Sequence, residues 1–173
     1  GTSSFGAQNT ANTLIADGRF GSATVVDGDV VQPSAQDLLD QFQCVIAMTD
    51  NRCGGQSPSG PLAGFANGGG GVVLATFGYA TGIGFTAPIF AAGLSPFQRV
   101  QAFNASAGAI NVAGASTTPP CDQLIAGVSS PVSSSFANFV SLSGGATLCA
   151  SYTNGRQLLA INATDNVVGL NVF

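Results

Sequence analysis

Apolar residues in the first half of the chain alternate between helical spacing and short continuous runs. Ala11, Leu14 and Ile15 make one face of a helix expected over residues 9–17, capped by Asn9 or Thr10 and ended by Gly18. A β-branched run over residues 23–26 reads as a short strand. After Pro33, Ser34 is an N-cap with Asp37 three residues on, and Leu38, Leu39 and Phe42 share the apolar face of a second helix. Residues 44–48 are apolar throughout, the pattern of a strand buried on both faces of a parallel sheet. A polar loop over residues 49–60 follows. Pro61 then sits in the first turn of a third helix with Leu62, Phe65 and Ala66 inward, and four glycines, 68–71, stop it. Residues 72–77 are the next buried strand. Helix and strand alternate three times, which predicts an α/β fold built on a mostly parallel sheet.

The second half changes character. Residues 78–96, rich in Gly, Ala and aromatics, read as loops with one helical turn, and residues 100–112 as extended chain. Residues 121–135 read mainly as loop around the apolar stretch 124–128. Three strands close the chain, at residues 146–152, 157–162 and 166–173, and Asn154-Gly155 is a hairpin turn signal between the first two. The end of the sheet is therefore expected to be antiparallel. One element is missing from the pattern. The first helix of such a fold normally follows a central strand, but residues 1–8 offer only Phe5 as a large apolar side chain among poor strand formers. The expectation is a single domain over residues 1–173 whose first strand lies upstream, is only a poor strand within residues 1–8, or is replaced by a segment of another chain.

Charge narrows the range of functions. The chain has no Lys, Glu, His or Trp, and its charges are eight Asp and four Arg, net −4. Four scattered arginines give no basic footprint for nucleic acid or for anionic lipid, and no apolar run approaches the ~20 residues that span a bilayer. A surface of Ser, Thr, Asn, Gln, Gly and Ala repels its own copies weakly and permits close self-packing. The opening Gly1-Thr2-Ser3-Ser4, with no initiator Met, reads as a processed product.

The cysteines Cys44, Cys53, Cys121 and Cys149 are an even set without a C-x-x-C pair, and no His is available for a mixed zinc site. Two disulfides and an oxidising, extracellular or cell-surface location are expected. Three connectivities are open. The Gly/Pro/Ser-rich surroundings of Cys53 and Cys121 favour pairing those two, and a Cys44–Cys53 bond ranks lower because the chain would double back along its own strand. Asn104-Ala-Ser and Asn162-Ala-Thr are sequons that a secreted chain exposes to glycosylation.

Catalytic patterns are tested one by one. A serine hydrolase needs G-x-S-x-G and a His, and the chain has neither. Asp37 and Asp40 are paired carboxylates that could do acid/base work, but a solvated helix face is by far the better explanation. The glycines 68–71 follow a helix and precede a strand, the reverse of a phosphate loop. Phe85, Phe90, Phe97 and Phe103 are core filling by default, a sticky surface otherwise. Asp50 follows a buried strand at its carboxyl end, where α/β folds bind ligands. With Asn51 and Arg52, and Tyr79 as an aromatic platform, it is the candidate ligand site; the plain alternative is a loop Asp accepting backbone N–H bonds.

The stretch from Leu62 to Phe77, a helix, a glycine run and a strand, resembles the corresponding passage of class I glutamine-amidotransferase-like (flavodoxin-like) domains, in particular their non-catalytic secreted versions. Residues 94–97, 124–128 and 167–173 fit in order, so the resemblance covers residues 9–173. It implies a three-layer α/β/α fold, mostly parallel with antiparallel C-terminal strands. It does not carry the enzymes' Cys–His–Glu apparatus: residue 77 runs into Gly78-Tyr79, and the chain has no His or Glu. No enzyme activity, cofactor or metal is expected. The leading functional expectation is an extracellular structural protein that forms homo-oligomers or polymers, as a surface or filament subunit, with strand exchange between copies as one route. The rival is a module that binds carbohydrate at Asp50, Asn51, Arg52 and Tyr79.

Overall fold

The computed structural model describes residues 3–49, 57–75, 77–91, 93–106, 110–111, 115–126 and 136–172. Two compact units divide the chain, Gly1–Gln32 and Pro33–Phe173.

The first unit is a helix, α1 (Ser3–Ala16), followed by irregular chain and turns. The helix begins earlier than its apolar face suggests, so residues 3–8 are helical and form no strand. Side chains support it locally: Thr10 and Thr13 hydroxyls donate to the carbonyls of Gly6 and Asn9, at 3.0 and 2.9 Å. Gly18, at φ 80°, ends it as expected. The run over residues 23–26 is not a strand: it carries no regular structure and has no pairing partner among the described residues. Ala11 is the one buried residue among the described residues of this unit.

The second unit holds the sheets. It opens on α2 (Ala35–Gln41), where the capping box forms as the sequence indicates: Asp37 N–H donates to Ser34 Oγ, and the Asp37 carboxylate accepts from the Ser34 N–H. Then come β1 (Cys44–Ala47), α3 (Ser59–Asn67), β2 (Gly71–Leu74), α4 (Ala87–Phe90), β3 (Phe97–Ser106), β4 (Ile110–Asn111), α5 (Cys121–Ile125), β5 (Phe136–Leu142), β6 (Thr147–Tyr152), β7 (Gln157–Ile161) and β8 (Val167–Leu170). Six strands form one mixed sheet in the order β1-β2-β8-β7-β6-β4. β1, β2 and β8 run parallel, and from β8 to β4 every neighbour is antiparallel. β3 and β5 form a separate antiparallel pair whose register shifts between Arg99 and Asn104. The α/β class and the antiparallel C-terminal end agree with the sequence pattern.

One core cluster joins α2, α3 and α4 to β2, β8 and β3 through Leu38, Leu62, Phe65, Val72, Leu74, Ile89, Phe97 and Val167. A second gathers Cys121, Cys149, Tyr152, Leu158 and Ile161. Buried asparagines stitch these layers together. Asn171 accepts from the Asn138 N–H at 2.8 Å and donates to the Asn138 and Gln157 carbonyls at 3.0 and 2.9 Å, tying the end of β8 to β5 and β7. Gly169 is required by packing. A Cβ there would lie 2.5 Å from the Tyr79 hydroxyl and 2.8 Å from the Phe97 and Pro96 side chains.

Candidate functional site at the open sheet edge

Of the residues expected to form a ligand site, Tyr79 alone lies among the described residues. Tyr79 is 1% exposed, in edge contact with Phe97 at 5.4 Å between ring centres. Burial pushes its hydroxyl pKa above the ordinary value, the Ser95 hydroxyl offsetting this only in part. A side chain so enclosed presents no platform to a ligand, so Tyr79 is withdrawn from the candidate site. Asp50, Asn51 and Arg52 lie outside the described residues. Asp37 and Asp40 are occupied locally: Ser34 hydroxyl and N–H hold the Asp37 carboxyl below its ordinary value, and Asp40 accepts from Gln36 Nε2 at 2.7 Å. They are a helix cap and a solvated face.

After β2 the chain turns sharply. Phe77 has φ 59°, a backbone conformation rare for a bulky residue, and the chain then folds tightly, with Ala80 N–H donating to Phe77 O at 2.8 Å and Phe85 N–H to Gly78 O at 2.9 Å. The side chain at this turn is a phenylalanine, which offers no nucleophile. The glycine run behaves as a helix stop: Gly68 is the C-cap of α3 and Gly71 already belongs to β2. Phe85 and Phe97 are core residues and Phe90 packs against them; the side chain of Phe103 lies outside the described set. The described arginines are engaged within the protein. Arg19 pairs with Asp17, Arg99 donates to the Gly78 and Phe85 carbonyls and lies over the Phe90 ring at 4.7 Å, and Arg156 lies over Phe139 at 4.3 Å. Desolvation lowers the Arg99 pKa. Among the described residues no group of three or more His, Cys, Asp or Glu converges on a metal position.

Cysteine pairing differs from the sequence expectation. Cys121 bonds to Cys149, not to Cys53, and Cys44 is an exposed free thiol. The loop-like setting of Cys121 was misleading: it opens α5, a short helix packed on β6, which places it 5.0 Å (Cα–Cα) from Cys149. Cys53 lies outside the described residues. Asn104 pairs with Asn138 in the β3–β5 ladder through its backbone, and its side chain is not described. Asn162 is closed to modification in the folded chain. It is 2% exposed, and its amide nitrogen donates to Gly93 O, Thr164 Oγ1 and Asn166 Oδ1.

What remains is an edge. Among the described residues β1 pairs with β2 alone. The Gln43 and Ala47 carbonyls accept from Gly71 and Ala75 N–H, so by the twofold alternation of a strand the N–H and C=O groups of Cys44 and Ile46 face the open side. The strand is apolar, yet Cys44 is exposed and Val45, Ile46 and Ala47 are only half-buried; Met48 beyond it is 38% exposed. β2, one position inward, buries Val72 and Leu74 completely. Edges are ordinarily blunted by Lys, Pro, charge or a bulge. Residues 43–49 contain no charge and no proline, and the β1–β2 register is unbroken. No protein-family model matches the chain, and no curated protein was found to be similar to it.

Proposed function

We propose that this chain is a non-catalytic, extracellular structural domain that assembles with copies of itself, as a surface or filament subunit, by strand addition at the open edge of its sheet. The observation that carries the reading is β1: an apolar, half-exposed strand whose outer main-chain groups have no partner among the described residues, with none of the usual devices against edge pairing. The weak surface charge supports it, because copies approach with little repulsion. A buried disulfide supports an oxidising compartment, and no helix among the described residues is long and apolar enough to cross a membrane. The same reading takes β1, β2 and β8 as the parallel part of a three-layer, flavodoxin-like sheet that ends one strand early at β1. The free strand groups invite a strand from outside, and adding one completes the sheet.

Sedimentation velocity over a dilution series tests this. The weight-average mass should rise with concentration, and electron microscopy of the concentrated sample should show repeating assemblies. A single monomeric boundary at every concentration, up to about the millimolar affinities of weak complexes, contradicts the proposal.

A further inference from the structure

Resting on that assembly reading, we propose that the strand added to β1 is residues 22–26 of a second copy, so that copies join head to tail. The donor qualifies on its own geometry. Ser22, Ala23, Thr24, Val25 and Val26 lie outside any helix, strand or turn and make no main-chain hydrogen bond to another described residue of the first unit. Three of the five are β-branched, the composition that suits a pleated strand, and Val26 is 46% exposed. The segment has defined ends. Gly21 precedes it, and a turn follows, in which Asp27 Oδ1 accepts from Asp29 N–H at 3.0 Å and Asp27 O accepts from Val30 and Val31 N–H at 3.1 and 2.9 Å. Five free residues match the four of β1.

The donor's surroundings also lack cover. Of the seven large apolar side chains exposed among the described residues, Ile15, Phe20, Val26, Val30 and Val31 belong to the first unit. That unit buries only Ala11, far too little to hold a fold by itself. Donor and acceptor segments are both uncharged, so pairing them opposes no like charges. Because donor and acceptor are different surfaces, each copy that receives a strand still has one to give. Such heterologous contacts propagate into filaments or close into rings, whereas antiparallel pairing of β1 with β1 of a second copy stops at a dimer.

Cys44 supplies the test, since it is exposed at the start of the acceptor strand. In a Cys53→Ser background, Thr24→Cys, Val25→Cys and Val26→Cys are made singly, with Asp29→Cys as a control in the adjoining turn and Ile46→Cys, on the Cys44 face of the strand, to report symmetric β1 pairing. After mild oxidation, at least one of the three donor variants should give a ladder of disulfide-linked species on a non-reducing gel, and the control should give none. Ladders absent from all three, equal in the control, replaced by links within one chain, or replaced by a discrete Ile46→Cys dimer each overturn the donor assignment. Sedimentation of the same samples separates the two levels: continued assembly without donor cross-links removes only the donor, and monomers throughout remove the assembly reading as well. A second variant, Val25→Pro, removes one strand N–H and should weaken self-association by about tenfold, equivalent to about 1.4 kcal/mol, without moving the unfolding midpoint of the second unit. Unchanged association in Val25→Pro contradicts the proposal.

Discussion

Replacing both Cys121 and Cys149 by alanine is expected to lower the stability of the second unit by about 3–4 kcal/mol. The bond closes a loop with a sequence separation of 28 residues. Chain-entropy arguments assign a constraint of that length about 3–4 kcal/mol through the unfolded state. It also joins α5 to β6 inside the second core cluster, where both cysteines are buried, so the alanine pair leaves a small void that adds to the loss. Urea denaturation of the variant against the oxidised parent measures the difference, and the thermal midpoint should fall by roughly 10 °C. Full reduction of the parent should reproduce the shift. A change under about 1 kcal/mol would mean that the loop is already ordered in the unfolded chain.

The second large effect is at Asn162. Its side chain accepts from the N–H groups of Asn166 and Val167 at 3.1 and 3.0 Å and donates to the Gly93 carbonyl at 3.1 Å, while Asn166 reaches on to the Ala66 carbonyl at 2.7 Å. One buried amide thus fixes the β7–β8 turn and holds it, through Asn166, to the end of α3. Asn162→Ala leaves the Val167 N–H, in a fully buried residue, without a partner. Each orphaned buried group costs about 1–3 kcal/mol, so the variant should lose about 2–4 kcal/mol by urea denaturation. Thr164→Ala abolishes the same sequon but removes only an exposed hydroxyl, and should cost less than about 1 kcal/mol. Equal losses in the two variants would point to an attached glycan, not the hydrogen bonds, as the stabilising element.

The parts of the fold that were legible in the sequence are those specified locally. The Ser34–Asp37 capping box, the glycine stop after α3, the apolar strands at residues 44–48 and 72–77 and the Asn154-Gly155 hairpin all appear within a few residues of their expected places. Gly155 adopts φ 81°, the left-handed conformation that such a turn demands. Features that depend on distant partners were not legible. Residues 23–26 have strand composition but no edge to pair with, and a strand is a property of the pair. β5 was missed because Phe136–Leu142 does not alternate cleanly: both Ala137 and Asn138 are buried, the latter on Asn171. The Cys121–Cys149 bond depends on where α5 packs, which cysteine spacing does not encode.

The candidate site was legible only in part: residues 44–48 read as an apolar strand, but their composition does not show that the strand lies at an edge. Residues 3–8 extend α1 and form no strand, and among the described residues β1 is outermost, beside a strand that buries Val72 and Leu74. Tyr79 shows the limit of reading sites from sequence. An aromatic after a buried strand looks available, but only packing reveals that it fills the space above Gly169.

Amide hydrogen exchange, read residue by residue at low and high protein concentration, tests strand addition at β1 most directly. The N–H groups of Cys44 and Ile46 face the open side, while that of Val45 faces β2. On assembly, exchange at Cys44 and Ile46 should slow by about tenfold or more as those groups gain partners, and exchange at Val45 should not change. Rates at Cys44 and Ile46 that are fast and identical at both concentrations would contradict strand addition at this edge.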